Sequence, residues 1–235
     1  MTLYDNYFST EAKQLAILID PEKHSEKGLQ TLVQKINHSR VDLIFVGSSL
    51  SARPYNSIIE QIKNESEKPV LLFPGNSLQL GDKADALLNL SLISGRNPEF
   101  LIGEHVRTSM FLKKSQIEII PTGYILIDGG KTTAVEYMSD TKSIPRNKLD
   151  IAIATALAGE FLGLKCIYLE TGSGAEQSVP NEMLEAVRGQ VSIPIICGGG
   201  IKTQSEIEEK WSSGANIVVV GTAFENNPEL LNDWV

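Results

Sequence analysis

Cysteine and histidine are scarce in this chain, at two and three among 235 residues. Cys166 and Cys197 each fall within an apolar, strand-like run and have no metal-ligand spacing. They read as reduced, buried, inert thiols rather than as a disulfide framework or a zinc site. His24, His38 and His105 share no spacing, so each is expected at the surface or in a satisfied hydrogen bond. The two tryptophans, Trp211 and Trp234, lie in helical patterns and read as packing residues. Basic residues are also in deficit, 21 against 29 acidic for a net charge of −8. That balance argues against broad electrostatic attraction to nucleic acid or to anionic membrane, and leaves room for a small phosphorylated substrate held by local donors. No apolar run approaches the roughly 18 residues needed to span a bilayer. The first residues carry Asp5 and Glu11 and lack the apolar core of a secretory signal. A soluble, cytoplasmic protein is the expectation, and no linker or low-complexity segment divides it.

What is present is an alternation of short β-branched or leucine-rich runs with helix-period segments. Leu15–Asp20, Leu43–Val46, Val70–Phe73, Ala86–Asn89, Ile119–Ile127, Cys166–Glu170, the run from Ile195 and the run from Ile217 read as eight strands. Helices are expected over about 25–38, 54–64 (with Pro54 in the first turn), 98–113, 148–162, 181–189 and 203–213, with a last helix to Trp234. The stretch 129–146 reads as a long loop. Only about ten residues, Gly81 among them, separate the third strand from the fourth, so a full crossover helix barely fits there. The pattern predicts one domain over residues 1–235, a (β/α)8 barrel of mostly parallel strands.

In such a barrel, chemistry sits where strands end. The seventh strand runs into Gly198-Gly199-Gly200. Glycines let backbone N–H groups approach an anion, and the following helix start adds unpaired N–H groups. Gly221-Thr222 ends the eighth strand in the same way, and two such turns in succession suit a phosphate. Asp20-Pro21-Glu22-Lys23 ends the first strand. Asp20 suits a hard cation and Lys23 a phosphate, or the segment is an Asx or proline turn. Ser48-Ser49 offers hydroxyls to the same cation or caps the next helix. Tyr168 and Glu170 share one side of their strand, and a glutamate at a barrel mouth suits a general base, against the alternative of a surface salt bridge. On the residues alone, a phosphate-binding barrel enzyme such as an isomerase or lyase and a non-catalytic phospho-ligand sensor both stand.

Taken together, Ile19–Lys23, Val46–Ser49, Phe73–Asn76, Ser94–Pro98, Tyr168–Gly174, Gly198–Ile201 and Val220–Thr222 resemble, in order, the motifs of the geranylgeranylglyceryl and heptaprenylglyceryl phosphate synthase family. The resemblance implies a modified barrel with the third helix replaced by a loop segment. It implies transfer of a prenyl group, geranylgeranyl being the expected one, from its diphosphate to the 3-hydroxyl of sn-glycerol 1-phosphate. It further implies Mg²⁺ at Asp20 and Ser49. The glycerol phosphate site it implies comprises Tyr168, Leu169, Glu170, Thr171, Gly172, Ser173, Gly174, Gly199, Gly200, Gly221 and Thr222. Glu170 is the expected base, with Tyr168 positioning substrate or glutamate, and Lys23 is a candidate phosphate or diphosphate contact. Ser48 and Thr171 depart from the pattern, where glycine and a smaller residue are expected. The leucine-rich stretch 78–100 is the candidate prenyl groove. A homo-oligomer is expected, with transient membrane-surface contact for the lipid product.

Overall fold

The computed structural model describes residues 1–8, 11, 13–51 and 54–233. Its eight strands are β1 (Gln14–Ile19), β2 (Leu43–Val46), β3 (Val70–Leu72), β4 (Ala86–Leu92), β5 (Glu118–Leu126), β6 (Cys166–Glu170), β7 (Ile195–Gly198) and β8 (Ile217–Val220). Each pairs in parallel with the next, and β8 closes on β1. Alternation divides the strand residues between two cores. Ala16, Phe45, Leu71, Leu88, Tyr168, Ile196 and Val219 fill the barrel interior. Ile17, Ile44, Leu72, Leu87, Leu169, Cys197 and Val218 face the helices.

The outer layer comprises α2 (Glu26–Asn37), α3 (Asn56–Glu65), α4 (Glu104–Ser115), α5 (Ala134–Ser139), α6 (Leu149–Phe161), α7 (Asn181–Arg188) and α8 (Gln204–Ser212), followed by α9 (Thr222–Asn226) and α10 (Leu230–Asp233). In α2 the buried residues Leu29, Leu32, Val33 and Ile36 form one stripe, and Ser25 caps its start through the Gly28 N–H. Trp211 packs as expected, with its indole N–H donating to the Gln14 carbonyl.

No helix follows β3. A single 3₁₀ turn, Ser77–Gln79, takes its place, in keeping with the shortened spacing. The fully buried Gln79 holds that turn in place. Its side chain accepts the Gly75 N–H at 2.8 Å and donates to the Ser48 carbonyl at 2.9 Å. The Ser77 N–H donates to Glu104 at 2.7 Å, tying the turn to α4.

Several boundaries differ from the sequence expectations. Pro54 lies outside α3, which starts two residues later with Tyr55 at its N-cap. A π turn over Glu99–Gly103 precedes α4. The long loop 129–146 contains α5. The last helix is two, because Pro228 has no N–H to continue the ladder; Trp234 lies outside the described residues. β4 runs three residues beyond Asn89.

A short helix, α1 (Leu3–Tyr7), escaped the periodicity because five residues hold too little pattern. Its Leu3 and Tyr4 N–H groups donate to the Glu118 carboxylate at 2.7 and 3.0 Å, at the entry of β5. Phe8, fully buried, joins the barrel-interior core from this end. Phe8→Ala should therefore destabilise the protein by about 3 kcal/mol, read by chemical denaturation. A change below about 0.5 kcal/mol would show that α1 does not plug the barrel.

Candidate active site

The C-terminal ends of the strands surround a cavity of about 550 Å³. Of the residues singled out from the sequence, Asp20, Lys23, Ser49, Tyr168, Glu170, Ser173, Gly174, Gly199, Gly200, Gly221 and Thr222 line it. Leu169, Thr171 and Gly172 do not. Leu169 points to the helix-side core by strand alternation. Thr171 is 1 % exposed, and the Gly172 N–H is spent on Glu170.

Glu170 ends β6 facing the barrel axis, and it is buried rather than paired at the surface. The Gly172 N–H donates to its Oε1 at 2.6 Å. Burial nevertheless dominates and pushes its carboxyl from 4.5 up to about 7, opposed by the Gly172 N–H and the Tyr168 hydroxyl. That hydroxyl lies near enough to favour the carboxylate, but its geometry falls short of a hydrogen bond, and it remains a buried, unsatisfied donor. The Tyr168 ring is fixed by its neighbours, stacked on Phe73 with centroids 5.2 Å apart and tilted against Tyr124 at 5.5 Å.

The glycine run makes this placement possible. A Cβ on Gly198 would stand 2.5 Å from the Tyr168 hydroxyl and 2.9 Å from Glu170 Oε2. On Gly199 it would collide with Glu170 Oε1, at a φ of +80° that side chains avoid. The run does not feed directly into a helix. Thr203 and Glu206 form a capping box on α8, and Glu206 also accepts the Lys202 N–H. The N–H groups of Lys202, Thr203 and Glu206 are thus already taken, which leaves those of Gln204 and Ser205 in the first turn of α8. Gly221-Thr222 does open a helix, α9, and no side chain caps it. Across the mouth, Ser173 Oγ and Thr222 Oγ1 lie 3.4 Å apart, so the β6 and β8 turns form one polar cup.

Beside this cup, where β8 meets β1, Asp20 Oδ1 accepts the Glu22 N–H at 3.1 Å, an Asx turn. Its other oxygen stands 3.7 Å from Lys23 Nζ, which donates to Glu225 at 2.7 Å. Among the described residues, no group of three His, Cys, Asp or Glu side chains forms a cage for a metal. Asp20 with the Ser49 hydroxyl suits instead a cation that takes one carboxylate and completes its shell with water and substrate oxygens, the habit of Mg²⁺. Ser48 and Ser49 cap no helix, since α3 begins at Asn56.

The apolar part of the same cavity, its arm, is lined by Leu90, Leu92 and Phe100 from the barrel-interior core and by Leu80, Leu87 and Leu112 from the helix-side core. Leu78 and Leu88 belong to the predicted stretch but not to the arm: Leu78 is exposed, and Leu88 fills the barrel interior. Sequence reading missed Thr108, Leu112, Val135 and Met138, whose elements only the fold brings to the arm. His105 is satisfied, as expected. Its Nδ1–H donates to Asn89 at 3.0 Å and its Nε2 accepts from Ser91 at 2.9 Å, and burial lowers its pKa. His24 differs, with Nε2 buried and unpartnered. Both cysteine thiols are buried and pushed up to about 12, so they are inert. Glu225, on the β8 side of the cavity, also went unread.

The PcrB family model matches residues 9–235. The chain is 46 % identical over 232 residues to the geranylgeranylglyceryl phosphate synthase of Spirosoma linguale, covering 98 % of this chain and 93 % of that protein. It is 38 % identical over 232 residues to the synthase of that name from Korarchaeum cryptofilum, covering 98 % and 95 %. Among solved structures, (S)-3-O-geranylgeranylglyceryl phosphate synthase from Thermoplasma acidophilum, in complex with its substrate sn-glycerol-1-phosphate, superposes with a TM-score of 0.93 at 29 % identity. That match covers 99 % of this chain and 95 % of the other. An N-acetylmannosamine-6-phosphate 2-epimerase from Clostridium perfringens, at 16 % identity and a TM-score of 0.61, shares the fold alone. A barrel without its third helix, a glycine-flanked glutamate at its mouth and a family match over nearly its whole length lead to one conclusion: this chain belongs to the PcrB family.

Proposed function

We propose that this protein is a prenyltransferase that joins a prenyl group, geranylgeranyl in the first instance, from its diphosphate to the 3-hydroxyl of sn-glycerol 1-phosphate. The observation that carries this reading is the single cavity that connects a buried carboxyl, a polar cup of glycine turns and an apolar arm. A phosphate-binding isomerase or lyase has no use for the arm, and a sensor has none for a carboxyl tuned to about 7. The named relatives support the same reading.

In this mechanism the backbone N–H groups at Gly199-Gly200 and Gly221-Thr222, with Ser173 and Thr222, hold the glycerol phosphate and fix its hydroxyl beside Glu170. The arm takes the apolar chain and excludes water from the reacting carbon. As the allylic C–O bond breaks and diphosphate departs, the glycerol oxygen bonds to that carbon and Glu170 takes the hydroxyl proton. The Tyr168 hydroxyl, beside the carboxylate, favours its charged form. Asp20 and Ser49 would hold Mg²⁺, which when bound supplies charge stabilisation to the departing diphosphate. The apolar residues exposed on α4 and α6, Val106, Met110, Ile151 and Phe161 among them, support a homo-oligomer.

Product formation from labelled geranylgeranyl diphosphate and sn-glycerol 1-phosphate, with donors of several chain lengths in parallel, tests the activity; no product with any donor removes it. Glu170→Gln should lower kcat by about 10²-fold or more, and near-normal turnover would take the base role from Glu170. Because the base must be deprotonated, kcat/KM should rise with pH through about 7 and level off above it. The folded protein keeps that proton up to about pH 7, whereas an unfolded chain releases it near 4.5. Glu170 therefore favours folding below about pH 4.5, and this contribution fades as the pH climbs through 7. Glu170→Gln should remove that dependence in denaturation curves. For Asp20→Ala the measurement is activity against Mg²⁺ concentration: a raised requirement is expected, and an unchanged one moves the cation elsewhere.

A further inference from the structure

Where β8 closes on β1, three charged side chains meet that the reaction scheme uses only in part. Glu225 lies on α9, with a side chain only 7 % exposed. One of its carboxylate oxygens accepts the Asp20 backbone N–H at 3.2 Å, and the other accepts from Lys23 Nζ at 2.7 Å. The same Nζ stands 3.7 Å from Asp20 Oδ2. Lys23 thus sits between two carboxylates and is hydrogen-bonded to one of them. Asp20, Lys23 and Glu225 all line the cavity beside Ser49.

We propose that Glu225 is a positioning residue that holds Lys23 away from Asp20, leaving the Asp20 carboxylate open to a divalent cation. The inference rests on the reading that Asp20 faces that cation. Lys23 is a tethered cation already within ion-pair range of Asp20. Nothing but a better partner keeps it from closing the remaining distance of about 1 Å to a direct hydrogen bond. Glu225 is that partner: it is buried, so its attraction is weakly screened, and its carboxylate is held in place by the Asp20 N–H. Without its charge, Asp20 is the carboxylate left beside the ammonium. A direct pair would neutralise Asp20 and occupy the oxygen a metal needs. The arrangement also explains why Glu225 sits one helical turn beyond the Gly221-Thr222 phosphate turn. It couples the β8 end of the site, where the phosphate is held, to the β1 end, where the cation is held.

The test uses the full chain and Mn²⁺ alone, read by electron paramagnetic resonance, so that no diphosphate contact of Lys23 enters the measurement. Glu225→Gln keeps an oxygen to accept the Asp20 N–H and removes only the charge that holds Lys23. It should raise the Mn²⁺ Kd about tenfold, the scale of an outer-shell partner. Adding Lys23→Met to that variant removes the competitor and should bring the Kd back to within about twofold of the parent. A double variant that stays weak would make Glu225 a direct ligand and overturn the proposal, as would a Glu225→Gln Kd equal to that of the parent. Lys23→Met alone is read as well, in case Glu225→Gln does not fold. It should leave the Kd at or below the parent value, and a tenfold rise would overturn the proposal. Asp20→Ala separates the two levels. If it leaves Mn²⁺ binding unchanged, the reading of Asp20 fails. If it abolishes binding while Glu225→Gln does nothing, only the role of Glu225 fails.

Discussion

The site depends on the close approach of Glu170 to the end of β7. A carboxyl buried against a neighbouring strand needs room, and Gly198 and Gly199 give it by having no side chain at all. The approach has two consequences. It removes the carboxyl from water, which raises its pKa toward neutrality. It also bends the chain into left-handed turns at Gly199 and Gly200, which places their backbone beside the cavity. The raised pKa of the Glu170 carboxyl and the shape of the glycine turn therefore go together. A side chain at either glycine would disturb both.

The missing helix after β3 is the second constraint. A barrel strand normally buries its outer face under the helix that follows. Here a single turn pinned by Gln79 stands in its place, and Val70, Leu72 and Leu87 on the outer faces of β3 and β4 stay buried in the helix-side core. α4 then contributes His105, Thr108 and Leu112 to the wall of the cavity at the mouth of the barrel. Leu80, just after that turn, and Leu87, on β4, line the apolar limb of the cavity. Within that limb Asn89, Ser91 and His105 satisfy one another, so the polar groups on its wall need nothing from an apolar ligand.

Much of this was legible in the chain. The eight strands stood out because each is a short apolar run, buried on both faces in a parallel barrel. Asp20, Ser49, Glu170 and the glycine turns could be placed at the mouth because strand ends in a barrel converge there. Other features had no local signature. α1 is too short to show a period; only its Thr2–Asp5 capping box is local, and the carboxylate that takes its Leu3 and Tyr4 N–H groups, Glu118, lies over a hundred residues away. Glu225 reads as one more helical glutamate until β8 meets β1 and brings it to Lys23. The start of α8 looked like an anion site, yet the Thr203–Glu206 capping box takes two of its donors. The box is itself a sequence pattern, and it could have been read.

By itself, then, the sequence determined the alternation of strands and helices, the shortened third unit and the residue types at each strand end. Those follow from periodicity, spacing and the conformational freedom of glycine, all of which are local. Tertiary structure decided which of the marked residues reach the cavity. It turned Leu169 outward, buried Thr171, committed the Gly172 N–H to Glu170 and brought α4 to the wall of the arm. It also decided the state of the charges, because a pKa depends on burial and on neighbours that barrel closure alone supplies.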